Sequence, residues 1–381
     1  MSDVVIVGAG PAGTSIALQL ARAGVDVAIL ERLLFPRNKV CGEYLSSAAI
    51  QALHDLKVED CLSGAYPIRG IALAAYGSQQ LRLALPGGGA FALARATLDD
   101  RLLHAALAAG ARLWRGGYMY NEPDAAGQRV VFRDDHGALQ SLRTRMLVGA
   151  DGAWSSVAVR NGMAAQRRRG GRWAVGGHLT HQAPSDELEM NVGPGGYFAR
   201  NPLSRDSVNA MLVLPQPARA EETDGIVKQI TSGRRDFDES ALVRRVAVGP
   251  LRYAPQRLMR ERVILSGDAA GLLDPFIGQG VACALRLSFG AAQAVLARLA
   301  GVPQERVARG YIREWRSIIA PRKALSFLID AMIRTPFLRV RAERAAYHDA
   351  GFAEKMLAAV SGAAPAASAF SPQLLMRLLA S

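Results

Sequence analysis

The chain has 381 residues, half of them hydrophobic, so it can bury a large core in two domains or in one large discontinuous unit. Its three cysteines, Cys41, Cys61 and Cys283, are odd in number, include no C-x-x-C pair and carry no metal-ligand spacing, which argues against a disulfide framework and against a metal site. The formal charge of +13 is spread over scattered arginines without a nucleic-acid reading motif or interleaved aromatics, so nucleic acid is set aside while anionic membrane, an acidic carrier protein and phosphorylated cofactors remain.

The opening residues show no basic n-region with a cleavage site, and no uninterrupted apolar run reaches the ~20 residues that span a bilayer. A cytoplasmic protein with at most peripheral membrane contact is therefore expected. Val4 to Val7 is a β-branched strand ending in Gly8-Ala9-Gly10-Pro11-Ala12-Gly13, followed by a helix over Thr14 to Arg22, a stop at Gly24 and a second strand from Val25 to Leu30. In this strand–turn–helix–strand frame Gly8 allows a tight turn, Gly10 admits a diphosphate close to the backbone, and Gly13 lets helix and strand pack closely. The helix N-terminus adds free N–H groups and partial positive charge. Glu31 stands at the end of the second strand, where a carboxylate accepts hydrogen bonds from ribose hydroxyls. The frame predicts a dinucleotide and does not separate NAD from FAD.

Next comes FPRNKVCGE, Phe35 to Glu43, which places Cys41 after Arg37 and Lys39. Their positive charge favours a reactive thiolate, against the plainer reading of a small packing residue. Ile71 to Leu85 alternates as short strands, and Arg95 opens a clear helix. Met146 to Val148 reads as a buried strand entering Gly149-Ala150-Asp151-Gly152-Ala153-Trp154-Ser155-Ser156-Val157. The run Arg167, Arg168 and Arg169 reads as a solvated loop. Trp173 to Leu214 again alternates, with a hairpin turn at Gly193, Pro194, Gly195 and Gly196. Laid over a cofactor, such a sheet offers Tyr197, Phe198, Asn201, His178 and His181 as candidate cavity residues. The two histidines, three apart on one strand, point to opposite faces and share no metal.

Val263 to Leu265 runs into Ser266-Gly267-Asp268-Ala269-Ala270, then Asp274-Pro275 and Gly278-Gln279-Gly280 before a helix over Val281 to Leu299. Two further helices are predicted, Pro303 to Ile319 and Arg322 to Ile333, the second facing the core through Phe327, Leu328, Ala331 and Met332. Gly362 to Pro372 reads as a flexible connection. An amphipathic tail over Gln373 to Leu379 carries Leu374, Leu375, Leu378 and Leu379, and docking on its own core is the default expectation.

Three of these segments carry a family resemblance that covers roughly Met1 to Leu299. Gly8 to Gly13, Gly149 to Val157 with Arg160, and Gly267 to Ala270 resemble the cofactor segments of flavoprotein monooxygenases and their relatives. Pro36 to Glu43 is similar to the P-R-x-K-x-C-G segment of geranylgeranyl reductases. The resemblance implies an α/β fold: a Rossmann-type FAD-binding domain of the hydroxylase/glutathione-reductase kind, an inserted antiparallel-sheet substrate domain and a C-terminal helical region. The expected bounds are 1–65, 92–170 and 252–300 for the FAD domain, 66–91 and 171–251 for the sheet, and 301–381 for the helices. It implies FAD held first by Gly8, Gly10, Pro11, Ala12, Gly13, Glu31 and Arg32, then by Arg37, Cys41, Gly42 and Arg95. Asp151, Gly267, Asp268, Pro275, Gly278 and Gly280 complete the set, Asp268 accepting from the ribityl chain.

With no second G-x-G-x-x-G, NADH or NADPH as electron donor must visit the flavin cavity or a surface groove. The reaction branches. Cys41 in its setting favours reduction of carbon–carbon double bonds, whereas Pro275 with Gly278-Gln279-Gly280 resembles the hydroxylase P-x-x-G-Q-G without its following asparagine. The reductase Y-x-W-x-F-P segment is also broken, keeping Tyr197 and Pro202 without the tryptophan, and the halogenase tryptophan pair is absent. The expectation is an NAD(P)H-dependent monooxygenase acting through a flavin C4a-hydroperoxide on a hydrophobic substrate, carrier-bound or of secondary metabolism, with Cys41 and Gln279 as catalytic candidates. The alternatives are a geranylgeranyl-reductase-like flavin reductase and a non-catalytic flavin-binding interaction protein.

Overall fold

The β-branched runs of the N-terminal half assemble a sheet whose central strands are buried on both faces, as parallel strands must be. A computed structural model describes residues 1–125, 127–165, 171–193, 195–235, 241–251 and 253–380. The predicted loop at Arg167, Arg168 and Arg169 and the turn residue Pro194 lie outside them. In this sheet Ser2–Val7 pairs in parallel with Val27–Glu31 on one side and Leu139–Gly149 on the other. Arg112–Arg115 extends one edge and Val263–Leu265 the other, both in parallel. A meander of Gly117–Asp124 and Gly127–Arg133 returns antiparallel onto Leu139–Gly149. Helices Pro11–Arg22, Arg95–Ala108 and Gly280–Leu299 pack with this sheet around one apolar core that includes Val5, Ile6, Leu18, Ile29, Leu102, Val148 and Leu285.

A seven-stranded sheet runs in the order Leu242–Leu251, Arg172–Leu179, Val208–Leu214, Gly196–Pro202, Glu187–Gly193, Gly70–Ala75, Leu81–Ala84. Gly193 pairs with Gly196, so the predicted hairpin forms. The expectation of an antiparallel sheet needs one correction: Glu187–Gly193 runs parallel to Gly70–Ala75, because those two segments belong to distant parts of the chain and no short turn forces them to reverse. A small three-stranded sheet of Tyr44–Leu45, Ala90–Ala92 and Tyr66–Ile68 bridges the two larger ones.

The C-terminal third differs from expectation in three places. A single helix, Gln304–Arg334, runs straight through Pro321 instead of breaking there. The proline cannot donate to the preceding turn, but the Arg322 side chain donates to Ile318 O at 2.7 Å, and burial of Ile319, Leu325 and Ile329 holds both halves against the core. Those buried positions shift the inward face, leaving the predicted core residue Phe327 77% exposed. The predicted flexible connection contains a 3-10 helix, Ala366–Phe370, whose Ala366 and Ala369 are buried beside Ile277 and Ile329. The tail forms helix Pro372–Ala380 and docks Leu374 and Leu378 against Ala345 and Phe352. Among the described residues one helix, Gly280–Leu299, has the length and apolarity of a membrane span; it carries Arg286 and Arg298, and 61% of its most apolar window is buried inside the protein.

Candidate active site

The first βα turn shows why each glycine is required. A Cβ on Gly8, whose φ is +102°, would lie 2.4 Å from Ala150 O, and one on Gly13 would lie 1.9 Å from Gly8 O. Both are packing glycines. A Cβ on Gly10 would meet nothing nearer than the Arg37 guanidinium at 3.7 Å, so this turn leaves an open approach to its backbone. Pro11 opens the helix where its missing N–H costs nothing, and Gly267, with φ +61°, lets the third cofactor segment approach Ala12.

Glu31 is buried and locks the turn from behind: one carboxylate oxygen accepts the Ala9 N–H and the other the Leu33 N–H, each at 2.9 Å. Arg37 reaches Glu31 at 3.7 Å and Asp99 at 3.4 Å, while Arg95 grips Asp99 through two nitrogens at 2.8 Å each. Burial opposes the charge of Arg95, but the Asp99 carboxylate and then the adjacent Cys41 hold its guanidinium above the ordinary value. Arg37 Nε is buried without a partner beside the open turn. Across the mouth, Lys39 pairs with Asp268 at 3.6 Å. An anion-accepting helix start, an open glycine, a carboxylate at the second strand and an unspent guanidinium nitrogen together fit the diphosphate and ribose of FAD. Asp151 is pushed up by burial although Ser155 Oγ donates to it at 2.5 Å and the Val157 N–H at 3.2 Å; its carboxylate closes the start of helix Ser156–Arg160.

From the cradle one cavity of about 670 Å3 continues between the seven-stranded sheet and the C-terminal helices. Pro11, Arg32, Asp151, Asp268, Pro275, Gly278 and Gly280 border it at the cofactor end. Leu73, Leu83, Leu188, Met190, Val192, Met211 and Val213 line the sheet wall, and Ile329, Met332, Ile333, Met356, Leu357 and Val360 the helical wall. Cys41, Gly42, Arg95, Tyr197 and Asn201 stand where the two ends meet. The buried Tyr197 hydroxyl has its ionisation pushed upward by burial, and its ring meets Phe276 edge-on at 5.1 Å.

The thiol loop is fastened by a residue that sequence reading passed over. Glu43, in left-handed backbone at φ +56° and buried, accepts the Arg95 N–H at 2.8 Å, Asn209 Nδ2 at 2.7 Å and contacts His178 Nε2 at 2.6 Å. Its own N–H donates to Cys41 Sγ at 3.3 Å. Asn209 also donates to Cys41 O and Asn201 to Gly42 O, at 2.8 and 2.9 Å. The Glu43 hydrogen bond raises His178 above its ordinary pKa, against the opposing effect of burial.

Four placements correct the sequence expectations. The positive charge beside Cys41 comes from Arg95, while Arg37 and Lys39 are committed to carboxylates elsewhere. Gln279 is buried outside the cavity lining, where its amide is spent on Val360 O at 2.7 Å. Phe198, one position out of phase with Tyr197, sits on the opposite sheet face among Val175, Leu212, Val227 and Ile230. His181 falls beyond the end of strand Arg172–Leu179, in left-handed backbone. Asp99 and Asn209 were missed; an acidic residue four after a buried arginine on a helix was the available signal for Asp99, and Asn209 left none.

The family described as FAD binding domain matches residues 1–321. The chain is 29% identical over 356 residues to a menaquinone reductase of Mycobacterium tuberculosis, covering 86% of this chain and 82% of that protein. It is 29% identical over 327 residues to a geranylgeranyl diphosphate reductase of Rhodobacter capsulatus, covering 82% and 80%. Its fold matches a flavoprotein/dehydrogenase from Cytophaga hutchinsonii with a TM-score of 0.81 and 17% identity, over 95% of this chain and 92% of that one.

Proposed function

This chain belongs to the FAD binding domain family and is an FAD-dependent oxidoreductase, and from that premise we propose that it reduces carbon–carbon double bonds in a long apolar, isoprenoid-type chain. The observation that carries the reading is the position of Cys41, a thiol that borders one mainly apolar cavity of about 670 Å3 together with the residues of the cofactor cradle. FAD, reduced in turn by NADH or NADPH, supplies the hydride. With FAD held in the cradle, Cys41 would be placed to give its thiol proton to one alkene carbon while the other would take up the hydride, so that the π bond would be replaced by two C–H bonds and the sulfur would regain a proton from water. Arg95 places a buried positive charge beside the sulfur. Tyr197, Leu73, Met190 and Met211 keep water from the reacting carbons. Glu43, Asn201 and Asn209 fix the loop that carries the thiol. We place the reaction in the cytoplasm, where the three free cysteines stay reduced.

The reductase names of the relatives support this reading, as what those proteins are called. Monooxygenation, favoured from the sequence, is the second reading, supported by the Pro275 to Gly280 run and by a cavity wall that excludes water equally well. Purified yellow protein is to be incubated with NADH or NADPH and a polyprenyl quinone or diphosphate in strict absence of oxygen. The expected product has gained two hydrogens, and Cys41→Ser lowers its rate by about 10²–10⁴-fold while FAD stays bound. A product that forms only with oxygen and carries an oxygen atom transfers the assignment to monooxygenation.

A further inference from the structure

Helix Pro336–His348 has two unlike faces. Inward, Arg339 and Glu343 border the cavity and Ala345 packs on Phe352, Leu374 and Leu378. Outward, Phe337 is 60% and Val340 42% exposed, followed one turn later by the exposed Arg344. The C-terminal helix Pro372–Ala380 extends the same surface. Arg341 stacks 4.5 Å over the Phe337 ring and donates to Leu379 O, which ties the two helices together there. Beside this tie Met376 and Leu379 are 62% and 58% exposed. Arg341 and the exposed Arg344 stand beside these apolar residues, while Arg334 pairs with Asp330 at 2.8 Å and Arg339 borders the cavity.

Large apolar side chains grouped in one exposed patch are what a water-facing surface avoids. The same side chains set among arginines are the pattern of a helix lying in a lipid interface, apolar residues in the acyl boundary and cations at the headgroups. We propose that this two-helix face docks the protein on an anionic lipid bilayer and brings the helical wall of the cavity against the membrane, so that an apolar chain enters from the bilayer. The entry route rests on the function proposed above; the docking rests on the surface alone. An acidic carrier protein would match the arginines but leave Phe337, Val340, Met376 and Leu379 without a role.

The test is co-sedimentation of the FAD-bound full chain with vesicles of phosphatidylcholine containing phosphatidylglycerol, and with phosphatidylcholine alone. Binding is expected for the anionic vesicles and weakens with salt. Arg344→Gln lowers partitioning about fivefold, and the pair Phe337→Ser with Val340→Ser abolishes it while the flavin absorbance is retained. Three results would overturn the proposal: no binding, equal binding of the double variant, or a dimer in solution that the double variant converts to monomer without any vesicle binding. Binding of an acidic acyl-carrier protein to this face in place of vesicles also overturns it. None of these measurements needs turnover, so loss of the reductase reading leaves a positive result intact.

Discussion

Replacing Asp99 by asparagine removes one charge from a buried quartet while keeping its shape. Asp99 has a fully buried side chain, receives two Arg95 nitrogens at 2.8 Å, and stands 3.4 Å from Arg37, whose other end faces Glu31 at 3.7 Å. Two guanidiniums and two carboxylates balance. Asp99→Asn leaves a net positive charge among side chains that are 0–10% exposed. A close pair at an effective dielectric of about 20 is worth about 4 kcal/mol, and two such contacts are weakened, while the amide oxygen still accepts one hydrogen bond. Breaking a buried pair from one side costs about 3–5 kcal/mol in comparable settings, and that is the expected loss. Urea unfolding of FAD-free and FAD-bound protein, followed by tryptophan fluorescence, measures it. Arg95→Met added to Asp99→Asn restores neutrality and should recover at least half of the loss. A change below about 1 kcal/mol in the single variant, or no recovery in the double one, would refute a charge-balanced quartet.

The glycine turn makes a paired prediction: Gly13→Ala, with its Cβ 1.9 Å from Gly8 O, destabilises the fold, whereas Gly10→Ala folds normally and loses FAD affinity, both read by urea midpoint and flavin retention on gel filtration. His178 is raised above its ordinary value by Glu43, so the pair stabilises fully below about pH 6.5 and the contribution fades as pH rises through the folded-state pKa. The stability difference between wild type and Glu43→Gln, taken from urea curves at several pH values, should therefore shrink toward alkaline pH; a difference that stays flat refutes the linkage. Gln279→Ala removes the side-chain donor to Val360 O, and should cost about 1–3 kcal/mol while turnover per bound flavin is unchanged. Lost turnover with intact stability would return Gln279 to the chemistry.

What could be read from the sequence follows the range of the physics involved. The cradle was legible because its requirements are local: a strand, a glycine turn and a helix within thirty residues leave Gly8, Gly10 and Gly13 few other roles. The Tyr197 and Asn201 placements were legible because strand alternation puts both on one face, and the same alternation, applied to Phe198, argues for the opposite face. Pro321 misled because a helix propensity argument sees the lost N–H and not the burial of Ile319 and Leu325 on either side of it. Glu43, Asn209 and His178 were illegible as a group, since they meet only when residues 166 and 31 positions apart in the chain are folded onto one another.

That long-range group also determines where variation can occur. The Cys41–Glu43 turn is gripped from the seven-stranded sheet by Asn201, Asn209 and His178, from helix Arg95–Ala108 by the Arg95 N–H, and from the residue just after strand Ala90–Ala92 by the Leu93 N–H, which donates to Glu43 O at 3.1 Å. A thiol held from three elements cannot follow a substrate; the substrate must be brought to it. The remaining freedom lies in the far walls, where Leu73, Leu83 and Met190 from the sheet face Met332, Met356 and Leu357 from the helices. Methionines on both walls adapt to an irregular chain at small cost. On the proposed reductase reading, substitutions there would change which chain length or which double bond reaches the thiol while leaving the FAD cradle and the quartet behind it untouched, so that specificity and redox chemistry would occupy separate, independently variable parts of one cavity.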